Sequence, residues 1–262
     1  MEKTLYIKSI AQIKNHAALK EYNRLYIGSE FCATFIPQEK TLEECFLLCE
    51  KYNLTFSLVL PFCIFEEFRQ IRKALKKIYA WRPHAEIIIN DLGHLWLLES
   101  EFPAFHRIWG RLLTKMKADE QLRNIKHKEY QFISIDQEYT IDLLRTHGVE
   151  RIELNNIQQG ILREAISGIL PASLYMPYVY IATSRKCLSR LSAHNDFLGS
   201  EADYFVSVEC AYPCQEFYVS LASHKLISGN SLFYINNKIP SNIDVLKVNR
   251  IVTEKLIFEE VE

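Results

Sequence analysis

Residues 85–93 read Ala85-Glu86-Ile87-Ile88-Ile89-Asn90-Asp91-Leu92-Gly93. Three isoleucines in a row leave no apolar–polar alternation, so this run suits a strand buried on both faces, the kind found in parallel sheets. It stops at an amide and a carboxylate, and a glycine then permits a tight turn into a helix. Upstream, Thr55-Phe56-Ser57-Leu58-Val59-Leu60 repeats the pattern. Working outward, eight strand-like runs can be marked: Thr4–Lys8, Arg24–Gly28, Thr55–Leu60, Ala85–Asn90, His106–Leu112, Gln131–Asp136, Arg151–Asn155 and Tyr178–Thr183. Their starts fall 20 to 31 residues apart.

Helical patterns lie between the runs. Thr41-Leu42-Glu43-Glu44 reads as a capping box for a helix over Cys45–Tyr52. Phe65, Phe68, Ile71, Leu75, Ile78 and Tyr79 form one apolar stripe, with Arg72, Lys73, Lys76 and Lys77 on a solvated face. Ile141–His147 ends at Gly148, and Gln159–Ile166 is followed by Gly168. Alternating strand and helix predict a parallel sheet with right-handed crossovers. Eight such units predict an α/β fold, a TIM-barrel-like and possibly irregular (β/α)8 barrel over residues 1–185. An open doubly wound sheet is the rival, and no Gly-x-Gly-x-x-Gly follows any run to support it. After Cys187 the pieces are short and β-prone, so residues 186–262 read as a cysteine-containing extension packed on the barrel mouth.

Composition narrows the function classes. The chain of 262 residues has 48% hydrophobic and 24% charged residues and a net charge of −1, which call for neither nucleic acid nor an anionic membrane. No run of about 18 apolar residues reads as a membrane span. No secretory leader is evident, so the expected compartment is the cytoplasm, where thiols stay reduced. Seven cysteines are then packed thiols, metal ligands or catalytic thiols rather than a disulfide frame.

In a parallel barrel the working groups stand at the strand C-termini. The strand ends supply Glu30 and Cys32, Cys63, Asn90 and Asp91, Arg111, Asp136 and Glu138, Asn155 and Asn156, and Ser184, Arg185 and Cys187. Asn90, Asp91 and Arg111 are placed at the substrate mouth, although Asp91 equally suits the N-cap of the next helix. Asp136 and Glu138 could act as paired carboxylates or form a solvated loop. Cys63 is a possible nucleophile without an identifiable base. His94 and His147 read as surface or helix-end residues. Cys45 and Cys49 sit beside Phe46, Leu47 and Leu48 and read as packed thiols. Cys210-Ala211-Tyr212-Pro213-Cys214 lies in a loop-like setting, and Cys187 follows Arg185 and Lys186. Spacing leaves these between packing and metal ligation. Four thiolates without histidine would suit an iron–sulfur cluster or tetrahedral zinc. No Gly-x-Ser-x-Gly, His-Glu-x-x-His or P-loop motif is present.

An ordered set of motifs carries a family resemblance: Leu25–Cys32, Asn90–Gly93, Gly110–Leu113, Arg151–Asn155, Ala182–Cys187, and Cys210 with Cys214. In this order they resemble the collagenase-like peptidase family U32, and within it the UbiU/UbiV branch, on the UbiV-like side. The resemblance spans about residues 20–220. It implies a TIM-barrel-like fold and a 4Fe–4S cluster on Cys32, Cys187, Cys210 and Cys214. It also implies a UbiU-like heterodimer partner, and a part in oxygen-independent hydroxylation of a small aromatic or quinone-precursor substrate during ubiquinone biosynthesis. The alternatives are a peptidase-family hydrolase, for which no catalytic motif is visible, and a non-catalytic barrel with a structural metal site, such as zinc.

Overall fold

The computed structural model describes all residues except 63–66, 119–121, 123–129, 132, 134, 136, 164–169, 188–209, 211–213, 215, 220–224, 257–258 and 262. The expectations for Cys63 and Asp136 lie outside the described residues.

Eight parallel strands close into a barrel. They are β1 (Glu2–Ile7), β2 (Arg24–Gly28), β3 (Thr55–Val59), β4 (Glu86–Ile89), β5 (His106–Trp109), β6 (Val149–Asn155), β7 (Ala172–Met176) and β12 (Val248–Glu254). The α/β barrel predicted from the apolar runs is therefore what the chain forms. Side chains alternate between two environments, as the period of a strand requires. Leu5, Ile7, Leu25, Ile27, Leu58, Ile87 and Ile89 face outward into the main core. There they meet helices α1 (Glu39–Tyr52), α2 (Phe68–Trp81) and α3 (Leu92–Glu101), with α4 (Arg111–Thr114) and α5 (Glu138–Thr146) completing the helical layer. Tyr6, Tyr26, Val59, Ile88, Ile108, Tyr175 and Val252 face inward and form a layer across the barrel interior. No described helix is long and apolar enough to cross a membrane.

Four strand and boundary expectations change. Gln131, Ile133 and Ile135 are not in a strand; Ile133 and Ile135 are buried as core packing, and β5 pairs directly with β6. Tyr178–Thr183 is a strand, β8, but it lies outside the barrel. It pairs antiparallel with β11 (Ser231–Ile235) in a second sheet ordered β8-β11-β10-β9, where β9 is Glu216–Val219 and β10 is Lys225–Ser228. The seventh barrel strand is β7, and the eighth is β12, from deep in the supposed extension. A boundary at residue 185 therefore does not divide barrel from appendage, because β12 pairs with both β1 and β7.

Two helix starts also move. α1 begins at Glu39, so Thr41 lies inside the helix and Gln38 is its N-cap. Gln159–Arg163 is not helical. Gln159 is instead held by its side chain, whose Nε2 donates to the Lys117 carbonyl at 2.6 Å and the Tyr130 carbonyl at 3.0 Å.

The second sheet lies over the C-terminal mouth of the barrel as a roof. Phe31, Tyr178, Leu226, Phe233 and Leu256 form its apolar underside. Phe31 packs edge-on against Phe233 at 5.5 Å and stacks on Tyr180 at 4.9 Å. Asparagines fasten the roof. Asn155 exchanges two bonds with the Tyr180 backbone, at 2.6 and 2.9 Å. Asn156 donates to the carbonyls of Asn236 at 3.2 Å and Lys238 at 2.9 Å, while Asn236 donates back to the Asn156 carbonyl at 2.8 Å. These buried amides saturate backbone groups that would otherwise be lost to water.

Candidate functional site

The mouth beneath the roof is built from strand ends. Glu30 follows β2, Arg111 follows β5, and Glu254 is the last residue of β12. The Arg111 guanidinium donates from Nε to both Glu30 carboxylate oxygens at 3.0 and 3.1 Å, and from Nη2 to Glu30 Oε2. Nη2 also donates to Glu254 Oε2 at 2.8 Å, and Nη1 to the Tyr178 carbonyl at 3.2 Å. Its flat face lies 3.8 Å from the centre of the Tyr175 ring. All three charged side chains are fully buried.

One cation thus serves two carboxylates in a medium of low dielectric. Burial pushes the Glu254 carboxyl above its ordinary range, and Glu30 adds to that, against the pull of Arg111 and Lys8. Glu254 Oε1 and the Tyr175 hydroxyl have no hydrogen-bond partner among the described residues. Glu254 was not anticipated as a site residue. Its strand places Val248, Arg250, Val252 and Glu254 on the buried face, so two charged residues interrupt the usual apolar-inward alternation.

The three residues expected to line an open mouth play separate parts. Arg111 is locked in the buried ion group. Asn90 is buried, with Nδ2 donating to the Leu60 carbonyl at 3.0 Å and Oδ1 accepting from the Leu112 amide at 3.3 Å. Asp91 is the N-cap of α3, its carboxylate accepting from the Gly93 amide at 2.7 Å. The structure does not bring them together as one substrate-facing set. Glu138 opens α5 on the outside of the barrel and is exposed. His94, expected as a surface or helix-end residue, does lie in the first turn of α3 but is fully buried against Phe68; burial lowers its imidazole to about 4, although Asp91 pulls the other way.

The cysteines divide into two sets. Cys45 and Cys49 are fully buried in the main core. Burial raises both thiols, that of Cys49 to about 12, so they are inert packing groups, as their neighbours predicted. The other set is Cys32, Cys187, Cys210 and Cys214, none of which belongs to the main core. Cys187 is buried and the other three are half-buried. Burial raises the Cys32 thiol, with Cys187 and Cys210 adding to the effect and Thr34 opposing it. Burial pushes Cys214 up to about 12, followed by the fields of Cys32, Cys187 and Cys210, against Lys8. The four thiols therefore lie within electrostatic range of one another. Among the described residues, no group of three or more Cys, His, Asp or Glu side chains is placed so that it could hold a metal ion. By residue type alone, four thiols with the cation of Lys8 in electrostatic range of Cys214 are donors that would suit a thiophilic centre.

No family model matches the chain, and no curated protein matches it. A solved structure of a U32 peptidase, Mk0906, aligns over 97% of this chain and 92% of that chain, with 7% sequence identity and a TM-score of 0.47. A likeness that distant carries no argument about what this chain does.

Proposed function

We propose that the chain is an iron–sulfur protein whose cluster is held by Cys32, Cys187, Cys210 and Cys214 beneath the roof of the barrel. The observation that carries the reading is that Cys32, far upstream in the sequence, lies within electrostatic range of Cys187, Cys210 and Cys214, while Cys45 and Cys49 pack elsewhere. When bound, a 4Fe–4S group supplies one-electron chemistry. The protein supplies the rest. The roof strands and Phe31 restrict water, Lys8 counters thiolate charge, and the Glu30–Arg111–Glu254 group fixes the floor of the site.

The finer reading rests on the ordered sequence motifs. By it the chain is the UbiV-like half of a pair with a UbiU-like partner, serving oxygen-independent hydroxylation of a quinone precursor. The same four thiolates also suit zinc, which would staple the roof without redox chemistry.

Purification without oxygen, followed by iron, sulfide, zinc and visible absorbance measurements, separates these readings. Iron and sulfide in equal amounts with broad visible absorbance support the cluster. Zinc alone supports the staple. A colourless, metal-free protein sinks both.

A further inference from the structure

A hairpin tip is ordinarily solvated, mobile and tolerant of change. At the tip between β10 and β11, one residue is buried instead. Ser228 pairs with Ser231, so the loop has two residues, Gly229 and Asn230, with Gly229 in the left-handed region at φ +61°. Asn230 is buried, at 9% exposure. Its Nδ2 donates to the Phe31 carbonyl at 2.8 Å and to the Ser184 carbonyl at 2.8 Å, with Thr183 Oγ1 at 3.3 Å. An amide nitrogen has two hydrogens, and the two short bonds account for them. The Asn230 carbonyl accepts from the Ser184 amide at 3.0 Å.

The two carbonyls belong to the two cysteine loops. Phe31 immediately precedes Cys32, and Ser184 stands three residues before Cys187. Each loop is also closed locally by a serine. Ser29 Oγ accepts from the amides of Phe31 and Cys32, both at 3.2 Å, and Ser184 Oγ accepts from the Lys186 amide at 3.0 Å. The backbone beside each cysteine is thus held within its own loop, and the Asn230 side chain ties the two loops together.

We propose that Asn230 is the positioning residue that sets the separation of the Cys32 and Cys187 loops, so that the two thiols are presented as a pair before any metal arrives. This rests on reading the four cysteines as one site, but not on what they bind.

The test uses the reduced, chelator-treated full chain and dibromobimane, which becomes fluorescent on bridging two nearby thiols. Peptide mass spectrometry then identifies which cysteines are joined. Wild type should give a Cys32–Cys187 bridge, and Asn230→Ala, which removes both short bonds, should lower its yield about fivefold or more. Asn156→Ala removes an equally buried roof clamp that touches neither cysteine loop. It should lower the melting temperature comparably while leaving the bridge unchanged. Asn230→Asp keeps the side-chain shape and removes the donors, so at neutral pH it should match Asn230→Ala, which keeps the test decisive if the alanine variant folds poorly. The proposal is overturned by a wild-type chain with no Cys32–Cys187 bridge, by undiminished bridging in both Asn230 variants, or by equal losses in Asn156→Ala. Because no metal is involved, an iron-free wild type that still shows an Asn230-dependent bridge defeats the cluster reading and leaves this one standing.

Discussion

At the N-terminal end of the barrel two arginines share two carboxylates; at the C-terminal end one arginine serves two. Arg24 donates to Glu2 at 2.6 Å and to Ser57 at 2.8 Å, and Arg250 donates to Glu2 at 2.7 Å, to Glu86 at 2.6 and 2.8 Å and to the Tyr26 hydroxyl at 2.6 Å. Glu2 and Glu86 keep some contact with water, at 25% and 15% side-chain exposure. Burial works against their ionisation, but the arginines prevail and hold both carboxyls below the ordinary range. At the other end nothing is exposed, Glu254 is pushed upward, and two buried oxygens lack partners among the described residues. The first network is satisfied and serves the fold. The second is electrostatically frustrated, with one buried arginine between two buried carboxylates.

The contrast should be largest in stability. Arg111→Met strands two buried carboxylates and should cost about 3–5 kcal/mol in urea unfolding. Arg24→Met leaves Glu2 and Glu86 with Arg250 and should cost about 1–3 kcal/mol. Equal losses would erase the distinction between the two ends.

Next comes pH. Glu153 lies between the two networks, accepting from the Tyr26 hydroxyl at 3.1 Å, and burial raises its carboxyl to about 7 despite Arg250 and Arg151. A raised carboxyl stabilises the fold fully below its unfolded pKa of about 4.3, and that contribution fades as pH rises to 7. Glu2 and Glu86 have the opposite sign, contributing above the unfolded pKa and losing their contribution as pH falls through their folded values. Glu153→Gln should therefore gain on wild type by on the order of 2–3 kcal/mol between pH 5 and pH 8. Parallel stability curves for the two proteins over that range would contradict a neutral Glu153.

A smaller effect is expected at Gly110, where an added Cβ would fall 2.1 Å from Asn90 Oδ1. Gly110→Ala must displace Asn90 beside Arg111 and should cost about 1–3 kcal/mol, read as a lowered melting temperature. The smallest belongs to Lys77, whose exposed bonds to Glu39 and Glu43 at 2.7 and 2.8 Å are screened by water, so Lys77→Ala should leave the melting temperature essentially unchanged.

Strands such as Thr55–Val59 and Glu86–Ile89 were legible because burial on both faces leaves a continuous apolar run. β12 was not, since its inward Arg250 and Glu254 break that pattern and are tolerated only because partners from other strands neutralise them. β8 was legible as a strand but not in its place. A roof strand packed on aromatic rings looks locally like a barrel strand, and only pairing with β11 tells them apart. The site shows the same limit. Glu30 and Arg111 could be placed at strand ends, but the acid that makes the group overcrowded comes from the strand that went unrecognised. Cys45 and Cys49 were separable from the other thiols because their helix supplies an apolar stripe around them.

The most direct test is a serine scan of six cysteines in protein purified without oxygen, with iron and sulfide measured per chain. Serine at Cys32, Cys187, Cys210 or Cys214 should each abolish or sharply lower both, while serine at Cys45 or Cys49 should leave them at the wild-type level in whatever protein folds. Iron retained in any two of the four roof variants, or lost equally from folded Cys45→Ser, would contradict a single four-thiol site.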